Sequence, residues 1–305
     1  MKYLVIGAGG VGGSIGAFMT EAGKDVTLIA RGEHLKKMQE NGLAMETTVK
    51  GNYVVNPIKA TDMEHYNDTP DVIFVCVKGY SLVETVPFLQ RVCDAHTIVI
   101  PVLNIYGTGG RLQKELSDTL VTDGCVYIAA QIKEPGVIWQ NGDIFRIVYG
   151  VRTPEEFRPE LLQVAEDLKD SGIEGVLSDN IRRDALQKFS YVSPMAACGL
   201  YYHVFAGEVQ KTGEARDTFV KLMKEIDALA TAMGVPFQVD IVATNLEILD
   251  TLSPTASTSM QRDVYAGKSS EIDGLIYEVV RMGEKYQVSV PTYEMVAKKA
   301  KEQGL

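Results

Sequence analysis

The chain has 305 residues, 46% of them hydrophobic and 23% charged, with 30 Lys+Arg against 40 Asp+Glu for a formal net charge of −10. At about 100–200 residues per domain, that length suggests two domains, each able to bury a core. The acidic balance argues against a general nucleic-acid binder or a protein of anionic membrane surfaces, and no run approaches the ~18 apolar residues of a membrane span.

In chain order, Lys2–Ile6 is a short apolar strand broken at Gly7, followed by a helix with Val11, Ile15, Phe18 and Met19 on one face and Gly23 at its end. Asp25–Ala30, Asp71–Lys78 and Thr97–Asn104 are further strands, the last two separated by a helix around Ser81–Cys93. Continuous rather than alternating apolar strands, divided by helices, indicate a parallel sheet covered on both faces. Leu43–Lys59 and Gly124–Tyr149 look like hairpins, with Asn141-Gly142 as a turn signal in the second. From about Asp179 the strand signals end. Phe219, Leu222, Ile226, Leu229 and Met233 mark one helical stripe, stopped by Gly234-Val-Pro236, and Ile272, Leu275, Ile276, Val279 and Val280 mark another. The expected fold is α/β, an N-terminal doubly wound sheet of Rossmann type over residues 1–178, followed by an all-α domain over 179–305.

Cys76, Cys93, Cys125 and Cys198 form no CxxC pair, and His34, His65, His96 and His203 are equally scattered, so no metal site is expected. The glycine-rich start has no clean small-residue cleavage site and does not read as a signal peptide. The expected location is cytoplasmic.

Gly7, Gly9 and Gly12 form G-x-G-x-x-G directly after a strand and at the opening of a helix. The three glycines serve a tight turn, a close approach to a pyrophosphate and close helix–strand packing. With Gly10 and Val11 they form the expected dinucleotide-contacting stretch, whose helix-start N–H groups bind phosphate. An NAD site wants an acidic residue about 20 residues further on; here, 19 residues after Gly12, stands Arg31. A cation suits a 2′-phosphate, and Lys78 at the end of its strand supplies a second, so NADP is the expected cofactor.

These segments, together with Asn104, NIRRDALQKF carrying Lys188, and STSMQRDVYAGKSSEID carrying Ser259, Asp263 and Glu271, resemble the ketopantoate reductase (2-dehydropantoate 2-reductase) family over nearly the whole chain. The resemblance implies reduction of a small 2-oxo acid by NADPH, with Lys188 as general acid, Glu271 as its partner and Ser259 on the substrate carboxylate. Reducing a ketone builds negative charge on its oxygen, which a partly desolvated lysine held by a carboxylate is suited to meet. Asn104, expected at the carboxyl end of a strand, would serve both nicotinamide and substrate. The bland alternatives are a lysine that snorkels to water, Ser270 as an N-cap with Glu271 in the first turn, and Ser259 as another helix-start hydroxyl.

The chain departs from the family at Val192 and Ala196, where many relatives carry substrate-contacting asparagines. A different 2-oxo acid, another dehydrogenase with a helical domain (opine-type or glycerol-phosphate), or a non-catalytic NADP sensor therefore stay open. The Gly199–Phe205 stretch, GLYYHVF, is either core or the interface of a homodimer.

Overall fold

A computed structural model describes residues Met1–Leu305. It divides into one unit of Met1–Leu103 with Gly107–Ile181 and a second of Asn104–Tyr106 with Arg182–Leu305.

The first unit opens with β1 (Lys2–Ile6), α1 (Gly10–Glu21), β2 (Asp25–Ile29), α2 (Gly32–Asn41), β3 (Leu43–Thr47) and β4 (Gly51–Val55). There follow β5 (Lys59–Thr61), β6 (Val72–Val75), α3 (Val86–Val92), β7 (Ile98–Pro101), α4 (Thr108–Gln113) and β8 (Leu120–Val121). It closes with β9 (Asp123–Glu134), β10 (Val137–Gly150), α5 (Glu160–Asp170) and β11 (Glu174–Leu177).

Six strands pair in parallel in the order β5-β2-β1-β6-β7-β8. Renumbered along the chain this is the 3-2-1-4-5-6 order of a doubly wound dinucleotide-binding sheet. Because side chains alternate across a strand, Tyr3, Val5, Val72, Phe74, Ile98 and Ile100 enter one core with α1. Leu4, Ile6, Ile73, Val75 and Val99 enter the other, with Phe88 and Leu89 of α3. Both faces are covered, which is why these strands read as unbroken apolar runs.

A second sheet runs β11-β10-β3-β4, with β9 antiparallel along β10. Here one expectation is corrected. The β9–β10 turn is Pro135-Gly136, with Gly136 at φ +84°, and Val137 pairs with Glu134. Proline followed by a positive-φ glycine is the signature of a type II turn. Asn141-Gly142 instead lies inside β10, where the register jumps between Asn141 and Arg146 and Gly142 N–H donates to Thr48 Oγ1 at 2.9 Å. It marks a bulge, not the hairpin end.

Helix α1 is buried from Gly12 to Met19 because it packs on both sheets. Leu28 of β2 meets it at Gly16, Ile138 of β10 meets it at Gly13, and the Phe18 and Phe145 rings stack edge-on at 5.2 Å. The sheet is pinned to α5 by Asp167, which accepts from Tyr3 Oη at 2.5 Å and Lys24 Nζ at 2.8 Å. Burial alone would raise the Asp167 carboxyl, but bonds from Lys24, Tyr3 and Gln163 outweigh it and hold it below the usual range. A depressed carboxyl contributes stability above about pH 4 that is lost as pH falls further. Asp167→Ala strands the buried Tyr3 hydroxyl and should cost about 2–3 kcal/mol, a Tm fall of roughly 5–10 °C by calorimetry. An unchanged Tm would contradict that account.

The second unit is helical: α6 (Ile181–Tyr202), α7 (Ala206–Val209), α8 (Glu214–Ala232), α9 (Ile241–Thr251), α10 (Ser259–Tyr265), α11 (Glu278–Tyr286) and α12 (Pro291–Glu302). Phe219, Leu222, Ile226 and Leu229 of α8 are fully buried in one core with Leu275, Ile276 and Val279. Glu225 of α8 accepts from the Thr292 and Tyr293 N–H groups at 2.8 and 3.0 Å, capping α12 across the core. No helix is long and apolar enough to cross a membrane.

Candidate active site

After β1, Gly7 turns the chain at φ +95°, and the Gly7 and Ala8 N–H groups both reach the Ile29 carbonyl at 3.1 Å. Gly9 is the N-cap of α1 and brings no side-chain cap. A Cβ on Gly12 would lie 2.1 Å from the Gly7 carbonyl oxygen and 2.9 Å from Val5 Cγ1, whereas one on Gly9 would meet nothing within 4 Å. Gly12 thus lets the helix close on the strand, and Gly9 leaves the space before the first-turn N–H groups open. That cradle, with Gly10 and Val11 completing the first turn, fits a dinucleotide pyrophosphate.

Arg31 stands two residues past β2, as the exposed N-cap of α2. Lys78 stands three residues past β6, half-buried, as the N-cap of a 3₁₀ turn over Gly79–Ser81. The strand order sets the ends of β2, β1 and β6 side by side. Arg31, the glycine loop and Lys78 therefore share one carboxyl edge of the sheet, at the point where the strand order reverses.

In the second unit, Lys188 Nζ donates to Asn104 Oδ1 at 2.7 Å. The neighbours of Asn104 are anchored too. The Tyr106 ring lies 6.2 Å from that of Phe189, and Ile105 packs so closely on Gly274 that a Cβ there would come within 2.3 Å of it. Gly274 belongs to a single π turn over Asp273–Tyr277, which begins two residues after Glu271. The segment Asn104–Tyr106 thus joins the turn of α6 that carries Lys188 to the turn that follows Glu271. Ser193, also on α6, donates to the Leu275 carbonyl of the π turn at 2.5 Å and bonds Tyr293 Oη at 2.6 Å. The wider turn is held by α6 itself.

One helix start differs by one residue from expectation, and a second, at Ser259, falls where expected. The helix after Glu271 begins at Ile272, and Leu275 N–H donates to the Glu271 carbonyl at 3.0 Å, so Glu271 rather than Ser270 is the capping position. Glutamate is not a favoured N-cap, and this one is only 4% exposed. At α10 the cap is Thr258, whose side chain accepts from Gln261 N–H in a reciprocal capping box, and Ser259 is the first helical residue. Gln261 fills the space over Gly199 and donates to the Val204 carbonyl at 2.9 Å. These contacts seat α10 on the far half of α6, about 16 Å along the helix from Lys188 at 1.5 Å per residue. The sequence reading missed His34, whose ring bonds the Ala8 carbonyl at 2.8 Å. A lone histidine one turn into a helix carries no spacing signal.

With this geometry in hand, comparison with known proteins is specific. The family model for ketopantoate reductase PanE/ApbA matches residues 3–153, and that for its C-terminal part matches 180–303. An uncharacterized oxidoreductase, YkpB, of Bacillus subtilis is 27% identical over 97% of this chain and 96% of its own. The 2-dehydropantoate 2-reductase of Aquifex aeolicus is 25% identical over 99% and 97%. In fold, D-mandelate dehydrogenase solved with NADH and anilino(oxo)acetate superposes with a TM-score of 0.89 at 22% identity, covering 100% of this chain and 99% of that one. A dimeric ketopantoate reductase of Staphylococcus aureus gives 0.84 at 20% identity, covering 100% and 99%. Since the family models match nearly the whole chain, the protein belongs to the ketopantoate reductase family and is a nicotinamide-dinucleotide-dependent oxidoreductase.

Proposed function

We propose that the protein reduces a 2-oxo acid to the 2-hydroxy acid with NADPH, and that 2-dehydropantoate is the substrate. The observation that carries this reading is the Lys188–Asn104 bond at 2.7 Å, on a segment that packs through Ile105 against the turn following the buried Glu271. When bound, the reduced dinucleotide supplies a hydride. In this reading residues 1–178 hold it, and residues 179–305 meet the substrate.

Lys188 directs its ammonium to the carbonyl oxygen, stabilises the charge that grows there and gives up the proton that completes the alcohol. Asn104 Oδ1 accepts from Nζ and so fixes where that donor points, while its amide N–H₂ is left to orient a carbonyl or carboxamide oxygen. Glu271, as the acidic partner, helps hold the ammonium in place. Ser259 is proposed to hold the substrate carboxylate with its hydroxyl, which requires α10, seated at Gly199 of α6, to present it back toward Lys188. Gly7, Gly9, Gly10, Val11 and Gly12 carry the pyrophosphate; Arg31 and Lys78 carry the 2′-phosphate. As in the dimeric relative, a homodimer is the proposed assembly.

Steady-state kinetics over a panel of 2-oxo acids with NADPH tests the substrate. We expect the highest kcat/KM for 2-dehydropantoate; a value no better than for pyruvate-like acids would sink that assignment, and no turnover with any would sink the reductase reading. A second reading, a 2-oxo acid with an apolar far end, is favoured by Val192 and Ala196, one and two turns past Lys188, the first half-buried against the apolar core and the second fully buried in it. An unpaired substrate hydroxyl beside them would cost about 1–3 kcal/mol. For the cofactor, Arg31→Ala is expected to raise the KM for NADPH about tenfold and to leave that for NADH unchanged. Equal effects on the two would deny Arg31 the 2′-phosphate.

A further inference from the structure

His34 lies on the first turn of α2, three residues after Arg31, and is half-buried. Its Nε2 is 2.8 Å from the Ala8 carbonyl in the glycine loop, and its Nδ1 is 2.9 Å from Gly136 N–H in the β9–β10 turn. A carbonyl only accepts and a backbone N–H only donates, so the two bonds settle the proton's place. Nε2 carries it and donates to Ala8; Nδ1 is bare and accepts from Gly136. The ring is neutral.

The same hairpin closes on the loop from a second side. A Cβ on Gly10 would lie 2.4 Å from the Ala130 carbonyl oxygen of β9, and one on Gly13 would lie 3.0 Å from Ile138 of β10. The start of α1, the turn carrying Arg31 and the tip of the hairpin thus meet, and one imidazole is bonded to two of them while standing on the third.

We propose that His34 is a positioning residue for dinucleotide binding, tying the glycine loop, the N-terminus of α2 and the β9–β10 turn into one frame. The inference rests on the reading of the loop as the dinucleotide's cradle. It has a consequence for pH. A second proton on the ring would occupy Nδ1, which then faces the Gly136 N–H as donor against donor, and the turn is released. Burial holds the imidazolium below its ordinary range, against the pull of the Ala8 carbonyl. The charged groups of the surrounding elements are engaged elsewhere or turned to solvent. On α2, Lys37 pairs with Glu33 and Glu40, and Lys36 is exposed; on the hairpin, Lys133 pairs with Glu46 of β3, and Glu134 is exposed. Arg31 at the cap is exposed as well, and the loop Gly7–Gly13 has no ionisable side chain. The frame is therefore intact at neutral pH and weakens only as pH falls through the ring's own titration, which burial places below the ordinary imidazole range.

The test is the Kd for NADPH by titration calorimetry, in the wild type and in His34→Ala, His34→Asn and His34→Gln, between pH 7.5 and 5.5. At pH 7.5 His34→Ala should bind about tenfold more weakly, the loss of two modest hydrogen bonds. Asparagine keeps an acceptor for Gly136 and glutamine keeps a donor for Ala8, so each should recover part of the loss. The 2′-phosphate titrates in the same range, so a slope shared by all four proteins belongs to the ligand. The wild type alone should lose a further several-fold as the pH falls. Amide exchange of Gly136 in the ligand-free protein should be faster in His34→Ala than in the wild type. Equal Kd values and equal pH slopes in wild type and variants would overturn the inference and leave the loop reading standing. No NADPH binding by the wild type would overturn both.

Discussion

Lys188→Ala is expected to lower kcat by about 10³-fold, within the usual range for a lost general acid, with the Kd for NADPH unchanged. The two effects separate because the proposed phosphate contacts, which carry most of the dinucleotide's affinity, lie on the loop Gly7–Gly12, at Arg31 and at Lys78, while Lys188 meets the nicotinamide end only through Asn104. Lys188→Arg sharpens the test. A guanidinium keeps the positive charge but does not surrender a proton near neutrality, and its planar fork does not reproduce the single bond to Asn104 Oδ1. If charge alone served the reaction, arginine would restore much of the rate; if the proton is needed, it restores little. Rapid-quench or absorbance kinetics at saturating NADPH read both variants. Full turnover by Lys188→Ala would remove the lysine from the mechanism, and a wild type with no turnover at all would favour a dinucleotide sensor.

The second large effect is a contrast between neighbouring glycines. Gly12→Ala places a methyl 2.1 Å from the Gly7 carbonyl oxygen, a backbone atom that cannot swing aside. The expected cost is about 3 kcal/mol, a Tm lower by on the order of 10 °C, with NADPH binding lost as the helix is pushed off β1. Gly9→Ala adds its methyl to open space, so the Tm should hold, but the methyl stands where phosphates would approach and the Kd should rise at least tenfold. Scanning calorimetry and a binding titration on the two proteins decide the matter. If Gly9→Ala bound NADPH as the wild type does, the loop would not be its cradle.

The reading of the residues went furthest where one signal had one physical cause. Unbroken apolar runs such as Val72–Val75 come from burial on both faces, and the stripe from Phe219 to Leu229 comes from one buried helix face. Glycines after a strand mark a loop whose three roles the geometry separates. The failures came where two signals competed or none existed. Asn141-Gly142 and Pro135-Gly136 both signal turns, and pairing across the whole hairpin, not the dipeptide, decides which one closes it. Glu271 lies one residue past the expected Ser270 cap, because its buried place outweighs the local preference for Ser. The bond from Lys188 to Asn104 joins positions 84 apart in sequence, and no spacing encodes it.

Helix α1 has consequences beyond its packing. Enclosed by two sheets from Gly12 to Met19, it has no solvent face through which to fray, so its amides should be among the slowest in the molecule to exchange. The phosphate-facing end is thus built on the part of the chain that has least left to order. A ligand docking there incurs little conformational entropy, and its binding should show a small heat-capacity change, without the folding-on-binding signature of loops that form around their ligand. Selectivity at that end then depends on shape fixed before the encounter.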